Sequence, residues 1–297
     1  MKSLRKTIEL AVPVLFFAML AMTLVFYAAG LLPEKAYALY SVQDDMLLME
    51  ENADVHTAPA SLAKLLTACT ALRFIDPEET FTVGSEQDLV PEHSSLCLIL
   101  EGHSLKLKDL IAGMLMVSGN DAAYAVAVST VRFLYAEPIS NKECVEYFCG
   151  MMNSLAYNIG MTESHFVNPD GTDDENQYTT ARDLIKLAKY AMTVPVIKEI
   201  VSEHERYTVF ESGQNITWTN SNKLIDPDSP YYSEYALGMK TGTTSRAGNC
   251  LIGVFEKDGK TYISVVLGCW TDSGRYEETL RLINSIEIDD YKIEIST

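Results

Sequence analysis

Lys64 is the only charged side chain between His56 and Arg73, in a run that is otherwise almost entirely apolar. Apolar residues recur along this run at helical spacing, which predicts a helix packed into the core. They are Leu62, Leu65, Leu66, Cys69 and Leu72. A buried ammonium group costs several kcal/mol unless it is paired or loses its proton. A buried Lys64 therefore indicates a chemical role for this residue, because packing alone does not explain it.

Ser61 stands three residues before Lys64. Residues three apart on a helix share one face, with Cβ atoms about 5–6 Å apart, so the two side chains can form a hydrogen bond and Lys64 can serve as a base for the hydroxyl. Pro59 suits the first helical turn, which leaves the Ser61 N–H free to bind an oxyanion. The alternative is a lysine that reaches outward to solvent beside a small serine. The same spacing also occurs in Ser3 to Lys6, inside a basic tail.

A second motif, Ser118-Gly119-Asn120, separates two helical patterns. Its asparagine could take part in a site. A glycine that ends one helix and an Asn-Asp pair that caps the next would produce the same string for structural reasons alone.

A third motif, Lys240-Thr241-Gly242, begins a region that reads as three antiparallel strands, with Asp258-Gly259 as a two-residue hairpin turn. Gly238 and Gly242 bracket Lys240 where a strand normally avoids glycine, which predicts a close approach to the backbone. The alternative is a solvated lysine on an edge strand.

In this order the three motifs are those of penicillin-binding proteins and class A β-lactamases. Their flanking sequences resemble one branch, the serine D-alanyl-D-alanine carboxypeptidases of the low-molecular-weight penicillin-binding class, over roughly residues 39–285. The matching segments are Pro59–Lys64, Ser118–Ala123, Phe166–Gly171, Asp174–Asn176, Tyr178–Asp183, Asn220–Leu224 and Gly238–Thr244. Asp170 and Thr172 depart from the pattern, because the resemblance leads us to expect His and Leu there.

The resemblance implies an acyl-enzyme mechanism on peptidoglycan stem peptides, acylation by β-lactam antibiotics, and no cofactor. The functional positions it assigns are Ser61, Lys64 and Ser118 for catalysis, and Asn120, Lys240, Thr241, Gly242 and Thr243 for substrate binding. Ser61 is the implied nucleophile and Lys64 its base, while Ser118 relays a proton to the leaving amine. The N–H groups of Ser61 and Thr243 are the implied oxyanion donors.

Two rival functions remain open. A class A β-lactamase needs a glutamate to activate the deacylating water, and no Glu-x-x-Leu-Asn segment lies between the second and third motifs. A penicillin-binding sensor or wall-binding protein that is acylated without turning over would keep the same motif residues.

The order of patterns predicts an α+β fold: an antiparallel sheet flanked by helices plus an all-helical lobe, with the site in the crevice between them. This matches the β-lactamase/transpeptidase-like fold that the resemblance implies. Residues 40–54 read as strand and turn, and 237–268 as strands. Helices are predicted over 105–117, 121–134, 141–159, 180–192 and about 274–286, with Thr180 and Asp183 forming a capping box.

The N-terminus carries Lys2, Arg5 and Lys6 ahead of an uncharged stretch over residues 10–32, long enough to cross a bilayer. Ala36-Tyr-Ala38 matches a signal-peptide cleavage site, so anchor and cleaved signal both remain open. We expect three parts: residues 1–38 as anchor or signal, 39–288 as the penicillin-binding catalytic domain, and 289–297 as a short tail. Either way the catalytic part is exported, attached to the outer face of the membrane or secreted.

The formal net charge of −18 argues against nucleic acid as a partner, because phosphate backbones require a basic surface. A substrate carboxylate nevertheless needs a local cation, for which Lys240 is the candidate, with Arg246 as a second. The acidic cluster at 170–175 lacks the ligand spacing of a calcium loop, so no metal site is expected.

Six cysteines follow the apolar stretch, and their spacing favours free, buried thiols. Cys144 and Cys149 lie five apart in a helical pattern and point to different faces. The predicted hairpin places Cys250 opposite Leu267 and diagonal to Cys269, too far for a relaxed disulfide.

Overall fold

The computed structural model describes Pro13 and residues 33–135 and 139–295. Its strands are β1 Ala36–Ser41, β2 Met46–Glu51, β3 Thr80–Thr82, β4 Ser104–Lys106, β5 Glu205–Val209, β6 Asn215–Thr219, β7 Ala236–Thr244, β8 Gly248–Lys257 and β9 Lys260–Cys269. Five of them form one antiparallel sheet in the order β2-β1-β9-β8-β7, while β3–β4 and β5–β6 form two small hairpins.

The α-helices within these residues are α1 Ala63–Leu72, α2 Leu107–Met116, α3 Asn120–Leu134, α4 Asn141–Asn158, α5 Ala181–Ala191, α6 Pro195–Ser202 and α7 Asp272–Ile295. Helix α7 contacts β8 and β9, whereas α1 to α4 contact one another as a helical lobe. The predicted α+β fold is therefore confirmed. Helix α7 continues past its expected end at residue 286 and into the segment predicted to be a tail, as far as Ile295.

Apolar residues face both sides of the sheet, because successive side chains of a strand point to opposite faces. In β9, Ile263 and Val265 belong to the core shared with the helical lobe. Tyr262 and Val266 belong to a second core formed with Tyr276 of α7. The sheet is thus a buried central layer, and the long apolar run of β9 follows from this.

The predicted hairpin of β8 and β9 is present, with Asp258 and Gly259 at positive φ and the register running to the pair Leu251 and Val266. A bulge follows, so that Asn249 faces Cys269. The expected one-to-one pairing of Cys250 with Leu267 is therefore replaced by a bulge, in which Leu267 and Gly268 together lie opposite Cys250.

All six cysteines are free and buried, as predicted. Burial raises the pKa of Cys149 and of Cys250 to about 12. These thiols therefore have little thiolate at neutral pH and are poor nucleophiles.

Only half of the capping box predicted at the start of α5 is made. The Thr180 hydroxyl oxygen accepts from the Asp183 N–H at 3.1 Å. The Asp183 carboxylate instead accepts from the Glu163 N–H at 2.8 Å, in the segment before the helix. A complete capping box occurs at the start of α4, between Ser140 and Glu143.

The first strand of the sheet crosses the expected domain boundary between residues 38 and 39. Strand β1 begins at Ala36, pairs with β9, and buries Ala36 and Ala38. The cleavage motif Ala36-Tyr-Ala38 is thus part of the sheet. Apart from Pro13, the uncharged stretch 10–32 lies outside the described residues, and none of the helices described is long and apolar enough to span a bilayer.

Candidate active site

Ser61 lies in a 3₁₀ turn, Ala60–Leu62, immediately before α1. The expectation that it belongs to the first α-helical turn is therefore wrong by two residues. Ala60 adopts φ +48°, a conformation that is costly for a residue with a Cβ atom. Such strain concentrates at functional sites, where surrounding structure enforces it.

Lys64 is fully buried, and its ammonium nitrogen donates to two oxygens. Nζ lies 2.8 Å from Ser61 Oγ and 2.6 Å from the backbone carbonyl oxygen of Asp170. Burial lowers the pKa of Lys64 to about 8, although the carboxylates of Asp170 and Asp121 act in the opposite direction. The alternative of a lysine reaching solvent is excluded by this burial.

Helix α1 also fixes the loop that contributes the carbonyl of Asp170. The Thr67 hydroxyl donates to the Pro169 carbonyl at 2.6 Å, one turn along the helix from Lys64. Gly171 adopts φ +86°, and a Cβ atom there would lie 1.8 Å from the carbonyl oxygen of Ala60. The loop therefore packs directly against the nucleophile turn, at a distance that only glycine permits.

The second motif connects α2 to α3. Ser118 adopts the left-handed conformation that ends α2, with φ +64°, whereas the structural alternative assigned that role to Gly119, whose φ is −60°. Asn120 begins α3, and its side-chain Nδ2 donates to the Asp170 carboxylate at 2.6 Å. Among the residues described, the Ser118 hydroxyl makes no hydrogen bond to Ser61 or Lys64.

The third motif lies on β7, and Lys240 is buried rather than solvated at a sheet edge. Its Nζ donates to the Thr241 carbonyl at 2.9 Å. Burial lowers the pKa of Lys240 well below its ordinary value, and the positive charges of Lys64 and Arg275 act in the same direction. The Thr241 hydroxyl is hydrogen-bonded to that of Ser221 at 2.9 Å.

Glycines let β7 approach its neighbours, as the sequence predicts. A Cβ atom on Gly242 would lie 3.1 Å from the Ser61 backbone nitrogen. At Gly238, a Cβ atom would lie 2.6 Å from the Val201 carbonyl oxygen. Strand β7 is thus held against the nucleophile turn on one side and α6 on the other.

Arg275 is a site residue that sequence reasoning missed. It is buried at the start of α7, and its guanidinium donates to the Gly242 carbonyl and to Thr243 Oγ1, each at 3.1 Å. Arg246, the expected second cation, is exposed, and its backbone N–H binds Asp173. No local pattern links Arg275 to the third motif, because thirty-five positions of chain separate it from Lys240.

A cleft of about 290 Å³ opens onto these groups. Ser61, Asn120, Asp170 and Thr243 line it, together with residues 91–95. Lys64 and Lys240 lie behind this surface, while Ser118 is absent from the lining. A larger cleft of about 610 Å³ elsewhere contains no motif residue.

A serine hydroxyl held by a buried lysine, in a crevice between an antiparallel sheet and a helical lobe, defines a serine peptidase class that uses lysine in place of histidine. The sequence model of the D-alanyl-D-alanine carboxypeptidases, peptidase family S11, matches residues 32–271. The chain belongs to this family.

Individual D-alanyl-D-alanine carboxypeptidases are also similar to this chain in sequence. A D-alanyl-D-alanine carboxypeptidase of Streptomyces sp. (strain K15) is 28% identical over 246 residues, covering 80% of this chain and 81% of its own length. DacA of Escherichia coli (strain K12) is 30% identical over 259 residues. That match covers 84% of this chain but 59% of DacA, so the chain spans about three fifths of that relative.

Solved structures share the fold. The crystal structure of the Streptomyces K15 DD-transpeptidase superposes with a TM-score of 0.75 at 26% identity, covering 84% of this chain and 94% of that one. The carboxypeptidase DacD from Francisella tularensis gives a TM-score of 0.71 at 25% identity, covering 84% and 69%.

Proposed function

We propose that this protein is a serine DD-carboxypeptidase that removes the terminal D-alanine from peptidoglycan stem peptides through an acyl-enzyme on Ser61, and that penicillins acylate the same serine. The observation that carries the proposal is the buried Lys64 ammonium, 2.8 Å from Ser61 Oγ, with a pKa that burial lowers to about 8. Family membership and the relatives' names give the substrate class.

Acylation begins with proton transfer. Neutral Lys64 takes the Ser61 hydroxyl proton, and Oγ attacks the carbonyl carbon between the last two residues of the peptide. The C–N bond then breaks, and the proton on Lys64 passes to the departing amine. The family motif assigns this relay to Ser118, whose hydroxyl must come within hydrogen-bond reach of Lys64 when substrate binds. The backbone N–H groups of Ser61 and Thr243 bind the oxyanion. Asn120 orients the substrate amide at the mouth of the cleft.

The terminal carboxylate of the substrate is bound at the end of β7. Lys240, Thr241 and Thr243 contribute there, and the backbone of Gly242 allows the peptide to lie extended along the strand. Arg275 adds a second buried cation, because it already contacts Thr243. An incoming carboxylate favours the charged form of Lys240, since an opposite charge offsets the cost of burial.

One assay tests this proposal against its rivals. The purified protein is incubated with a fluorescent penicillin and, separately, with a peptide ending in D-Ala-D-Ala. A long-lived adduct with release of D-alanine supports the carboxypeptidase. Rapid loss of the adduct without action on the peptide indicates a β-lactamase, and a stable adduct without D-alanine release indicates a sensor.

We expect acylation to depend on pH through Lys64. Because the neutral amine is the base, the acylation rate constant rises about tenfold per pH unit below the pKa and levels off above about pH 8. The measurement is the rate of fluorescent penicillin labelling from pH 6 to 10. A rate that stays flat or falls between pH 6 and 8 contradicts the assignment of Lys64 as base.

For location, we propose the outer face of a bacterial cell membrane, with the N-terminal stretch kept as an anchor. Cleavage after Ala38 would divide β1 and remove two buried residues that pair with β9, Ala36 and Ala38. This supports an uncleaved segment over a signal peptide cut at that position.

A chain shortened to begin at Leu39 is therefore expected to be less stable than one beginning at Pro33. Losing three residues of a sheet strand removes ladder hydrogen bonds and buried alanines, a cost of about 2–4 kcal/mol. Thermal unfolding of the two shortened chains measures the difference. Equal melting temperatures would remove this argument against cleavage after Ala38.

A further inference from the structure

Asp170 places a carboxylate in the wall of the active-site cleft. The residue is 1% exposed, and three donors fix its side chain. Asn120 Nδ2 and Thr172 Oγ1 each lie 2.6 Å from Oδ2, and the Thr172 N–H lies 3.1 Å from Oδ1. The carboxylate is thus held in one orientation, with lone pairs remaining on its oxygens.

The same loop touches the nucleophile turn. The Asp170 carbonyl accepts from Lys64, which in turn donates to Ser61 Oγ. Gly171 packs against the backbone of Ala60 and Ser61. The Asp170 carboxylate is therefore attached to backbone that lies directly beside the serine, not to a distant rim of the cleft.

Hydrolysis of an acyl-enzyme moves two protons: the ester oxygen of Ser61 receives one as it leaves, and the attacking water loses one. Lys64 is placed to protonate the ester oxygen because it contacts Oγ. While Lys64 is an ammonium it cannot also accept the proton of the water, so another group in the cleft has to accept it. Four residues of the cleft lining have titratable side chains, namely Glu92, His93, Asp170 and Asp173. Glu92 and His93 are exposed, and Asp170 alone of the four contacts Asn120.

We propose that the Asp170 carboxylate is the general base for hydrolysis of the Ser61 acyl-enzyme, an inference that rests on the proposed function. One Asp170 oxygen accepts a proton from water as the water oxygen bonds to the acyl carbon. The Lys64 amine, neutral once its proton has passed to the departing amine, takes a proton from solvent, as its pKa of about 8 allows at neutral pH. The tetrahedral intermediate collapses by breaking the bond to Ser61 Oγ, which takes that proton from the Lys64 ammonium. Asp170 then releases its proton to solvent, so the cycle ends with Lys64 neutral and Asp170 ionised, as acylation requires.

Asp170→Asn should therefore slow deacylation of Ser61 without slowing acylation. This variant keeps the side-chain shape and an oxygen for Asn120. We expect fluorescent penicillin to label this variant within about threefold of the wild-type rate, while the adduct decays at least about 100-fold more slowly. With a D-Ala-D-Ala peptide, acyl-enzyme accumulates and D-alanine release shows a burst. Adduct decay after removal of free penicillin gives the deacylation rate.

Asp173→Asn is the matched control, because it removes a carboxylate from the same cleft without touching Asn120. We expect near wild-type decay in this variant. A large loss there, with Asp170→Asn unaffected, would assign the base to Asp173 and overturn the proposal. Asp170→Ser, which also lacks a charge and keeps a small polar side chain, is measured alongside in case the asparagine variant is not recovered folded.

Hydroxylamine distinguishes a base from a structural role. It attacks esters without strong base assistance, so it should restore decay of the Asp170→Asn adduct more than that of wild type. Equal slowing of acylation and decay, or no rescue, would show that Asp170 only holds the loop. If wild-type protein is not acylated at Ser61 at all, the proposed function itself fails together with this inference.

Discussion

Replacing Ser61 with alanine is expected to abolish acylation by penicillin and release of D-alanine, a loss of about 10⁶-fold or to background, because no other group can form the acyl-enzyme. The fold should persist. The Ser61 hydroxyl makes one hydrogen bond, to Lys64, so its removal costs about 1–3 kcal/mol. Labelling intensity and thermal unfolding, measured on the same preparation, test both statements.

Ser154→Ala serves as the control for this experiment. Ser154 is an exposed serine on α4 whose hydroxyl only donates to the Gly150 carbonyl, and its replacement should leave labelling unchanged. Label that persists on the Ser61→Ala protein would identify another residue as the nucleophile.

Replacing Lys64 with methionine should separate catalysis from stability. We expect acylation to fall about 10³- to 10⁴-fold, since the base is removed while Ser61 and the cleft remain. Stability should hold or rise by about 1–3 kcal/mol at pH 7. The sign follows from the pKa: burial lowers it from 10.5 to about 8, so the folded state binds this proton less tightly than the unfolded state. The wild-type penalty is therefore full below pH 8 and fades towards pH 10.5.

Lys142→Met is the comparison, because Lys142 is exposed at the start of α4 and does not line the cleft. It should change neither labelling nor melting temperature appreciably. A Lys64→Met protein that is acylated at the wild-type rate would exclude Lys64 as the base. A protein that loses several kcal/mol of stability would instead show that the ammonium stabilises the fold.

The parts of the site that depend on local chain geometry could be predicted from the sequence. The spacing of Ser61 and Lys64 fixes their contact, because three residues of helical backbone bring two side chains to one face. The glycine at 242 signals a close backbone approach without saying what approaches. The structure identifies the partner as the nucleophile turn itself.

Residues that join the site through tertiary contacts could not be found this way. Arg275 reaches Thr243 from the start of α7, and no periodicity connects the two. Asp170 is visible in the sequence only as a departure from the family's pattern, and its contact with Asn120 spans fifty positions. Both are charged groups whose place is set by packing between separate elements.

Secondary structure, too, could be predicted where the local sequence pattern is strong and not where it is weak. The hairpin of β8 and β9 is long, strongly apolar and joined by an Asp-Gly turn, so its register is predictable as far as the bulge beyond Leu251. Strands β3 and β4 have three residues each, too few for an alternating pattern to stand out. Strands β5 and β6 bury one residue each, Thr208 and Trp218, which leaves little hydrophobic pattern in the sequence from which to predict them.

The buried thiols have a practical consequence. With six cysteines shielded and none cross-linked, the native protein needs no oxidant to reach its final state and offers little for an electrophilic dye to react with. Opening of either core exposes sulfur, since Cys69 and Cys97 belong to one core and Cys269 to the other. Alkylation of the native cysteines therefore measures unfolding on both faces of the sheet.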